Sequence, residues 1–501
     1  MHPPRMAEVV APVRHLGSTL TWTDTDRQRI FASALEVLKR VGIRMADRGQ
    51  FDMIRKAGAH VCSETQAILF SESEIEHLRK KLVSDSPANN QPSIIERGRP
   101  ERLSVGNGGS LYFDWNRCMP VPASRLDLRN LSRWAEGCAR IGSFIQFCLV
   151  QEKGLDPVLQ LVDSFAVMFQ HTRKPAYFYQ PTEPIHVRYL KLLQQLQAGR
   201  GYHQDIPCTE WLNPPLTFGS RALATLLARI DQGVDPVGMG SMVIAGMSAP
   251  ATAAGYATMV TAELLGSLAI VRRLRPQVGL QASTIGGVLD IKTGRVSFQS
   301  PLATSMQYLA QDVFRRLLGI ELSYYHGYRD ANEPGMQACY EWSMLNLFHS
   351  CIDGTGASEI GGLANGNLFS PEQAVLDMEM TAEMNQLFTA FDVGDESIGL
   401  ECIMDAGHDT AAYMGHAHTV RHCRGLLPFS DFWLRGLPAA AGHCSSQSQA
   451  DRLLERAHQT CVEAQARGER VNTDDEYSRE AWNITRRLAQ ELQCRAPDPL
   501  L

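Results

Sequence analysis

The sequence predicts an α/β fold, a (β/α)8 TIM barrel with a helical or mixed N-terminal extension and C-terminal helices. Eight short apolar runs alternate with segments of helical period after about residue 140, as expected for repeated strand and helix units around a parallel sheet. These units extend over roughly 270 residues, close to the usual span of about 250 residues. No Gly-x-Gly-x-x-Gly follows the first run, so an open dinucleotide-binding sheet is not favoured.

The predicted strands lie at residues 144–150, 175–181, 206–212, 236–242, 277–284, 320–326, 356–363 and 398–407. They divide the chain into an N-terminal region (1–135), the barrel (136–440) and a C-terminal helical appendix (441–501). The N-terminal region opens with an amphipathic helix, for which Thr25 and Gln28 form a possible capping box and Gly42 a stop signal.

Composition limits the class of protein. The chain has 501 residues, 44% hydrophobic and 20% charged, with a formal net charge of −6, which predicts a globular protein without a basic surface for nucleic acid. Its twelve cysteines form no Cys-x-x-Cys pair, so reduced thiols and a cytoplasmic location are expected. The N-terminus lacks the apolar core of a signal peptide, and glycines and prolines interrupt the longest uncharged run, at 236–262, so no membrane span is predicted.

Functional residues of such a barrel follow the carboxyl ends of its strands. Aromatic rings and carboxylates collect there, and ring faces attract a methylated ammonium that has no N–H to donate. The competing interpretation is that the rings merely fill the barrel mouth. The candidates are Glu210, Trp211, Asn213, Met239, Ser241, Tyr325, His326, Tyr328, Arg329, Asp330, Glu359, Asp405, His408 and Asp409.

Two further groups are assigned to structure. His416, His418 and His422 lack a defined cysteine or carboxylate partner for zinc, so no metal is expected there. Glu263, inside a predicted helix, is expected to cap or pair. The chain also contains no nucleophile elbow, P-loop or dinucleotide fingerprint, which leaves hydrolase, kinase and dehydrogenase functions without support.

Several segments together resemble the trimethylamine methyltransferase superfamily, whose members lacking pyrrolysine include glycine betaine:corrinoid methyltransferases. These segments include "NPPLTFGSRAL", "GMSAPATAAGYATMVTAELLG", "LDIKTGRVSFQSP", "EIGGLANGNLFSPEQAVLDMEM" and "GHAHTVRHCR". The resemblance implies a (β/α)8 barrel that passes a methyl group from an amine to the Co(I) of a separate corrinoid protein. The Asp-x-His-x-x-Gly signature of cobalamin-binding modules is absent, so no tightly bound cofactor is expected and a partner must supply the corrinoid (cobalamin).

The hypothesis is transfer of a methyl group from a quaternary amine, with glycine betaine giving dimethylglycine as the first candidate. Such a substrate leaves as a neutral tertiary amine, so a chain of standard residues needs no covalent activation. Positive charge fades from nitrogen in the transition state, which favours rings over Glu210 as the direct contact. Trp211, Tyr325 and Tyr328 would enclose the cation, His326 and Arg329 would hold the substrate carboxylate, and Asp330 or Glu359 would order these groups.

Other readings stay open. Carnitine, proline betaine, choline or dimethylsulfoniopropionate also present a methylated onium group, and a pterin is a possible direct acceptor. A non-catalytic barrel that binds onium compounds and a zinc-dependent methyltransferase of the uroporphyrinogen-decarboxylase type are alternatives of other classes. The expected partners are a corrinoid protein, the small-molecule amine and further copies of the chain in a homo-oligomer.

Overall fold

The N-terminal residues form a small α/β unit. The computed structural model describes residues 21–85, 105–106, 108–142, 145–146, 149–203, 205–320, 322–324, 328–352, 360–388, 392–426, 430–434 and 448–498. The unit consists of α1 (Asp24–Arg40), β1 (Ile43–Met45), α2 (Arg48–Lys56), β2 (His60–Cys62), β3 (Ala67–Leu69) and α3 (Glu72–Asp85). Its sheet has the order β2, β3, β1, β9, so one strand comes from later in the chain, β9 (Thr217–Phe218).

Helix α1 confirms the predicted amphipathic helix but begins two residues earlier. Its capping box joins Thr23 and Asp26, whereas the predicted pair, Thr25 and Gln28, was wrong because both residues already lie inside the helix. At the other end Gly42 has φ +73, and a Cβ there would lie 2.1 Å from the Ile68 carbonyl oxygen. Glycine is therefore required where α1 turns into β1.

A parallel sheet with strand order β8, β10, β12, β15 forms one side of the main body. Helices connect successive strands, as in repeated βα units. The elements are β8 (Thr209–Trp211), α7 (Ser220–Asp231), β10 (Val237–Ser241), α8 (Ala253–Leu274), β12 (Leu280–Thr284), α9 (Pro301–Leu318), β15 (Ser323–Tyr324) and α10 (Met336–Ile352). The predicted strands at 206–212, 236–242, 277–284 and 320–326 are thereby confirmed.

A second set of parallel strands joins distant parts of the chain. Strand β4 (Val105–Gly106) pairs with β7 (Ile145–Gln146), and Val105 also forms a parallel bridge with Ile360. Residue 145 lies in the predicted strand 144–150 and residue 360 in the predicted strand 356–363, whose first four residues are outside the described residues. β4 was not predicted. The predicted domain boundary at residue 135 stays a prediction, but β4 pairs across it.

Two of the predicted strands differ from the structure. Residues 175–181 contain one isolated bridge residue, Ala176, and no strand of two or more residues. Residues 398–407 are helical, in α12 (Asp395–Ile398) and α13 (Leu400–Ala406), so the eighth predicted strand was wrong. Cys402 and Ala406, four residues apart, are the buried positions of α13, which is the spacing of a helix rather than a strand.

Small sheets extend beyond the carboxyl ends of the parallel strands. β11 (Ile244–Ala245), β13 (Gly287–Asp290) and β14 (Arg295–Ser297) follow β10 and β12 and form one sheet. β5 (Leu111–Asp114) and β6 (Met119–Pro122) join β16 (Gly362–Leu363) and β17 (Leu368–Phe369) in another. These sheets place residues from several βα connections above the ends of the central strands.

The remaining helices cover much of the body. They are α4 (Arg125–Gly137), α5 (Pro157–His171), α6 (Pro184–Gly199), α11 (Pro371–Asn385), α14 (Thr410–Gly415), α15 (Ala417–Leu426), α16 (Gln449–Glu469) and α17 (Glu476–Glu491). Helix α16 packs on α4 and α11, and α17 on α5 and α6. A Cβ on Gly137 would lie 1.8 Å from the Ala464 carbonyl oxygen, so α4 and α16 cross at backbone distance.

One helix among the described residues, α8, is long and apolar enough to cross a membrane, but 78% of its most apolar window is buried inside the protein. It contacts α1, α9, β10 and β12. This burial is typical of a core helix.

Candidate functional site

The strands β8, β10 and β12 present two different faces. Met239 and Ala282 point outward into the hydrophobic core formed with the helices. Because side chains alternate along a strand, Thr209, Trp211, Gly238, Gly240 and Ser283 share the opposite, inward face; their registers place Trp211 beside Gly240 and Gly240 beside Ser283. The inward face therefore carries small and polar side chains together with one large ring.

Trp211 lies against the backbone of β10 at the carboxyl end of β8. A Cβ on Gly240 would lie 2.3, 2.6 and 2.7 Å from three atoms of the six-membered indole ring. Any larger side chain at position 240 would displace the ring. Trp211 itself is half-buried, so the indole forms a wall at the carboxyl end of a parallel strand, where ligands commonly bind in α/β proteins.

A hydrogen bond crosses the inward face one layer deeper. Thr209 Oγ1 and Ser283 Oγ lie 3.2 Å apart, although β10 runs between their strands. A Cβ on Gly238 would lie 2.7 Å from Thr209 Oγ1, so this bond depends on the glycine between them. This hydrogen bond links β8 and β12 directly below the Trp211 ring.

Glu210 points to the opposite face from Trp211. Its Oε2 accepts a hydrogen bond from Nη1 of Arg229 on α7, and both side chains are buried. Burial raises the pKa of Glu210, and the charge of Arg229 opposes that rise. The structure therefore places Glu210 in a buried ion pair with α7, on the face opposite Trp211, and this geometry does not support Glu210 as a substrate-binding residue.

Ser241 and Glu263 also belong to the outward face. Glu263 is wholly buried and accepts hydrogen bonds from Ser241 Oγ and from the Leu216 N–H, both at 2.7 Å. Burial raises the pKa of Glu263, while these two hydrogen bonds lower it. The expectation that Glu263 caps or pairs is met, and Ser241 and the equally buried Met239 do not reach the inward face.

The stretch after β15 contributes Tyr328 and Asp330. Tyr325 and His326, together with Glu359 from the next predicted strand, lie outside the described residues. The Tyr328 ring meets Phe298 edge to face at a centroid distance of 5.4 Å, and a Cβ on Gly366 would lie 2.4 Å from the Tyr328 ring. Tyr328 is therefore held between the chain after β14 and the chain after β16.

Asp330 lies beside the end of β14, near Ser297 and Phe298. Burial raises the pKa of its carboxyl, nearby Glu341 adds to the rise, and hydrogen bonds from Ser297 and the Phe298 backbone oppose it. Within the described residues, Oδ1 of Asp330 is buried without a hydrogen-bond partner. Asp330 is thus a partly buried carboxyl group whose pKa is higher than that of an exposed aspartate.

Arg329 is fully buried and forms an ion pair with Asp377. Its Nη1 and Nη2 donate to Oδ1 and Oδ2 of Asp377 at 2.9 and 2.7 Å, and its guanidinium lies 5.0 Å from the Trp342 ring centroid. Asp377 also accepts from the Gly361 N–H at 2.8 Å. Since both terminal nitrogens are paired, this geometry does not support the predicted contact between Arg329 and a substrate carboxylate.

Two other predicted residues are exposed to solvent. Asn213 is exposed, and its N–H donates to the Thr217 carbonyl at 2.8 Å in the turn after β8. His408 is exposed in the turn between α13 and α14, with Asp405 and Asp409 near it in sequence. The prediction for His408 depended on a strand ending at residue 407, and that segment is helical.

The side chains of the three histidines of α15 and its N-terminal side lie near oxygen atoms of α12 and α13. His416 and His422 have their Nε2 atoms 3.5 Å from Asp405 and 3.4 Å from Glu396, and His418 Nε2 lies 2.8 Å from the Glu396 carbonyl oxygen. Among the described residues, no group of three potential ligands is arranged to hold a metal ion.

Sequence reasoning missed residues that position Tyr328 and Asp330. Asn365 has φ +54, donates its N–H to the Arg329 carbonyl at 2.7 Å, and reaches the Val296 carbonyl through Nδ2 at 3.3 Å. The Asn-Gly pair at 365 and 366 is a turn signal, but its long-range partners are not visible in one sequence. Phe298 carried no signal of its own.

Comparison with known proteins identifies the family. The family model for trimethylamine methyltransferase (MTTB) matches residues 2–433. Trimethylamine methyltransferase MttB of Desulfitobacterium hafniense is 20% identical over 80% of this chain and 82% of that protein. Glycine betaine methyltransferase of the same species is 24% identical over 42% of this chain and 43% of that protein.

Among solved structures, the monomethylamine methyltransferase MtmB of Methanosarcina barkeri aligns over 95% of this chain and 89% of that chain, with 12% identity and a TM-score of 0.44. The family model extends over most of the sequence, and the chain therefore belongs to the trimethylamine methyltransferase family and is a methyltransferase.

Proposed function

We propose that this methyltransferase takes a methyl group from a quaternary amine, with glycine betaine as the first candidate, and passes it to the corrinoid of a separate protein. The observation that carries the proposal is the indole of Trp211, laid against Gly240 at the carboxyl ends of parallel strands. An aromatic face in that place suits a cation without N–H groups. The names of two relatives, which act on trimethylamine and glycine betaine, support the same class of substrate.

We further propose that the two sets of parallel strands belong to one (β/α)8 barrel. The set β8, β10, β12, β15 and the set β7, β4, Ile360 are each parallel, and Ala176 supplies a bridge residue between β7 and β8 in sequence. Ile360 beside Val105 would then join the last strand to the first. In such a barrel the inward face that carries Trp211 is the interior.

In the proposed reaction the substrate nitrogen lies near Trp211, with Tyr328 and Tyr325 completing the aromatic wall. The N–CH3 bond breaks, its electron pair returns to nitrogen, and the acceptor supplies the pair for the new bond. The enzyme contributes mainly position. A carboxylate directly on the cation would stabilise the substrate more than the transition state, and the burial of Glu210 against Arg229 fits that requirement.

His326 is now the proposed holder of a substrate carboxylate, since Arg329 is paired with Asp377. Asp330, and Glu359 from the adjoining segment, are proposed to order the substrate-binding groups. Carnitine, proline betaine, choline and dimethylsulfoniopropionate remain candidate substrates, a pterin remains a candidate acceptor, and binding without catalysis remains a candidate of another class.

The decisive experiment measures methyl transfer to a reduced corrinoid protein from each of these compounds and from trimethylamine. Glycine betaine should be demethylated to dimethylglycine, and Trp211→Ala should lower kcat/KM by about 100-fold or more. Trp482→Phe, in the C-terminal helix α17, is the matched control and should retain activity. Turnover of trimethylamine alone would overturn the quaternary-amine proposal, and full activity of Trp211→Ala would overturn the site.

A further inference from the structure

Asp377 is a buried carboxylate that the proposed reaction does not use. It lies on α11, two turns after the N-cap residue Ser370, and its side chain has no exposed surface. Its two oxygen atoms accept four hydrogen bonds, which are two from Arg329, one from Gln373 and one from the backbone N–H of Gly361. A carboxylate with four donors has all of its acceptor sites occupied.

The donors to this carboxylate belong to two segments that carry candidate substrate-binding residues. Arg329 lies between Tyr328 and Asp330, after β15. Gly361 follows Glu359 by two positions and lies just before β16. The bonds from Arg329 measure 2.9 and 2.7 Å and the bond from Gly361 measures 2.8 Å. One carboxylate therefore joins both segments to the same helix.

Burial alternates along residues 328–331. Tyr328 and Asp330 are partly exposed and contact the chain at the end of β14. Arg329 and Ala331 are buried, and the Ala331 carbonyl accepts a hydrogen bond from the Ala364 N–H at 2.8 Å. Because both buried positions are anchored, the two candidate residues beside them have little freedom to change direction.

The ion pair of Arg329 and Asp377 suits a positional role better than a stabilising one. Both side chains are fully buried, and a buried ion pair adds little net stability compared with apolar side chains, because both charges lose their hydration. Its two parallel hydrogen bonds, in contrast, permit only one orientation of the guanidinium group relative to the carboxylate. The pair therefore fixes the path of the chain at residue 329.

Gln373 supports Asp377 from the same helix. Its Nε2 donates to Oδ1 of Asp377 at 2.7 Å, and its Oε1 accepts a hydrogen bond from the Gly335 N–H at 2.9 Å. Ser370, Gln373 and Asp377 lie on one side of α11 at helical spacing, and all three are fully buried. This polar side of α11 faces the segments after β15 and before β16.

We propose that Asp377 is a positioning residue for methyl transfer, which acts through Arg329 and the Gly361 N–H. It holds Tyr328 and Asp330 in the arrangement that binds the methylated ammonium group. This role rests on the proposed function, because these two residues contact substrate only if the site lies at the carboxyl ends of the parallel strands. Asp377 itself contacts no substrate, and no step of the reaction passes through it.

The test compares Asp377→Asn with a matched control at another buried ion pair. An asparagine has one acceptor oxygen, so either orientation of its amide sets N–H groups against two of the four donors. The control is Asp163→Asn, which removes the buried carboxylate that pairs with Arg125 at 2.9 Å between α4 and α5. Both variants should melt at a lower temperature than the wild type. Only Asp377→Asn should lower kcat/KM for the best substrate, by about 10- to 100-fold.

Hydrogen exchange of backbone amides needs no substrate and therefore separates this inference from the proposed function. The N–H groups of Gly361, Ala364 and Asn365 should exchange faster in Asp377→Asn and keep their wild-type rates in Asp163→Asn. A wild type that transfers no methyl group would overturn the proposed function, and the exchange rates would still decide the positioning role. Unchanged exchange in Asp377→Asn, or an equal loss of kcat/KM in the control, would overturn the role of Asp377.

Gln373→Met is a milder variant in case Asp377→Asn does not fold. It removes one of the four hydrogen bonds to the carboxylate and leaves the charge of Arg329 paired. The expected loss of kcat/KM is about 3- to 10-fold, the equivalent of one hydrogen bond, with faster exchange of the Gly361 N–H. A Gln373→Met variant with wild-type kinetics and exchange would overturn the proposal.

Discussion

The two faces of the sheet formed by β8, β10 and β12 carry different kinds of side chain, although they belong to the same strands. On the outward face, carboxylates are buried and fixed, as Glu210 is by Arg229 and Glu263 is by Ser241. On the inward face, two glycines leave room for the Trp211 ring and for a hydrogen bond that crosses a strand. A shift of one position along a strand therefore separates buried, hydrogen-bonded carboxylates from the face that carries the Trp211 ring.

The largest effect is expected on the outward face. Arg229→Met should lower the free energy of unfolding by about 3–5 kcal/mol, because Glu210 would remain buried without its counter-charge. Chemical denaturation measures this value. The double variant Arg229→Met/Glu210→Gln should recover a large part of the loss, whereas equal losses in both variants would contradict the assignment of Glu210 to an ion pair.

On the inward face, Gly240→Ala should damage function more than stability. The new methyl group must displace the indole of Trp211, and a misplacement of about 1 Å costs about 100-fold in rate. Steady-state kinetics with the best substrate would measure kcat/KM. The control is Gly415→Ala, at a position with no atom within 4 Å of the added Cβ. Equal kcat/KM values for the two variants would contradict the proposal that the Trp211 ring contacts the substrate.

A smaller effect is expected on the pH dependence of the free energy of unfolding, through Glu263 on the outward face. Because burial raises the folded pKa of Glu263 above its ordinary value of 4.5, the folded state holds this proton more tightly than the unfolded state. The free energy of unfolding should therefore decrease as pH rises above about 4.5 and through the folded pKa. Glu263→Gln should reduce this decrease in denaturation curves, whereas Glu401→Gln, at an exposed position of helix α13, should preserve it.

The smallest effect is expected from the hydrogen bond across Gly238. Thr209→Val should lower the free energy of unfolding by about 0.5–1.5 kcal/mol, and Ser283→Ala should have a similar effect. The double variant should lose less than the sum of the two, since they share one bond. Strict additivity in a double-mutant cycle would show that the two hydroxyl groups act independently.

Four central strands, helix α1, the helix that contains Glu263 and the C-terminal helices were predictable, because apolar period and length are local properties of the sequence. The segment at 398–407 was misread since a short apolar run has no distinctive period, and the two-residue strand β4 carries almost no pattern. The positions of the candidate residues were predictable only in part, and their roles stay predictions. Trp211 and Tyr328 follow from position at strand ends, whereas the pairing of Arg329 with Asp377 joins residues 48 apart and has no sequence signal.

The bridge between Val105 and Ile360 also has a consequence for synthesis of the chain. The partners are separated by about 250 residues, so at about 5–20 residues per second the ribosome needs roughly 10–50 s to supply the second one. During that time β4 has an unpaired edge on the Ile360 side. Nascent chains that end before residue 360 should therefore be cleaved near residue 105 by a protease that spares the same site in the finished protein.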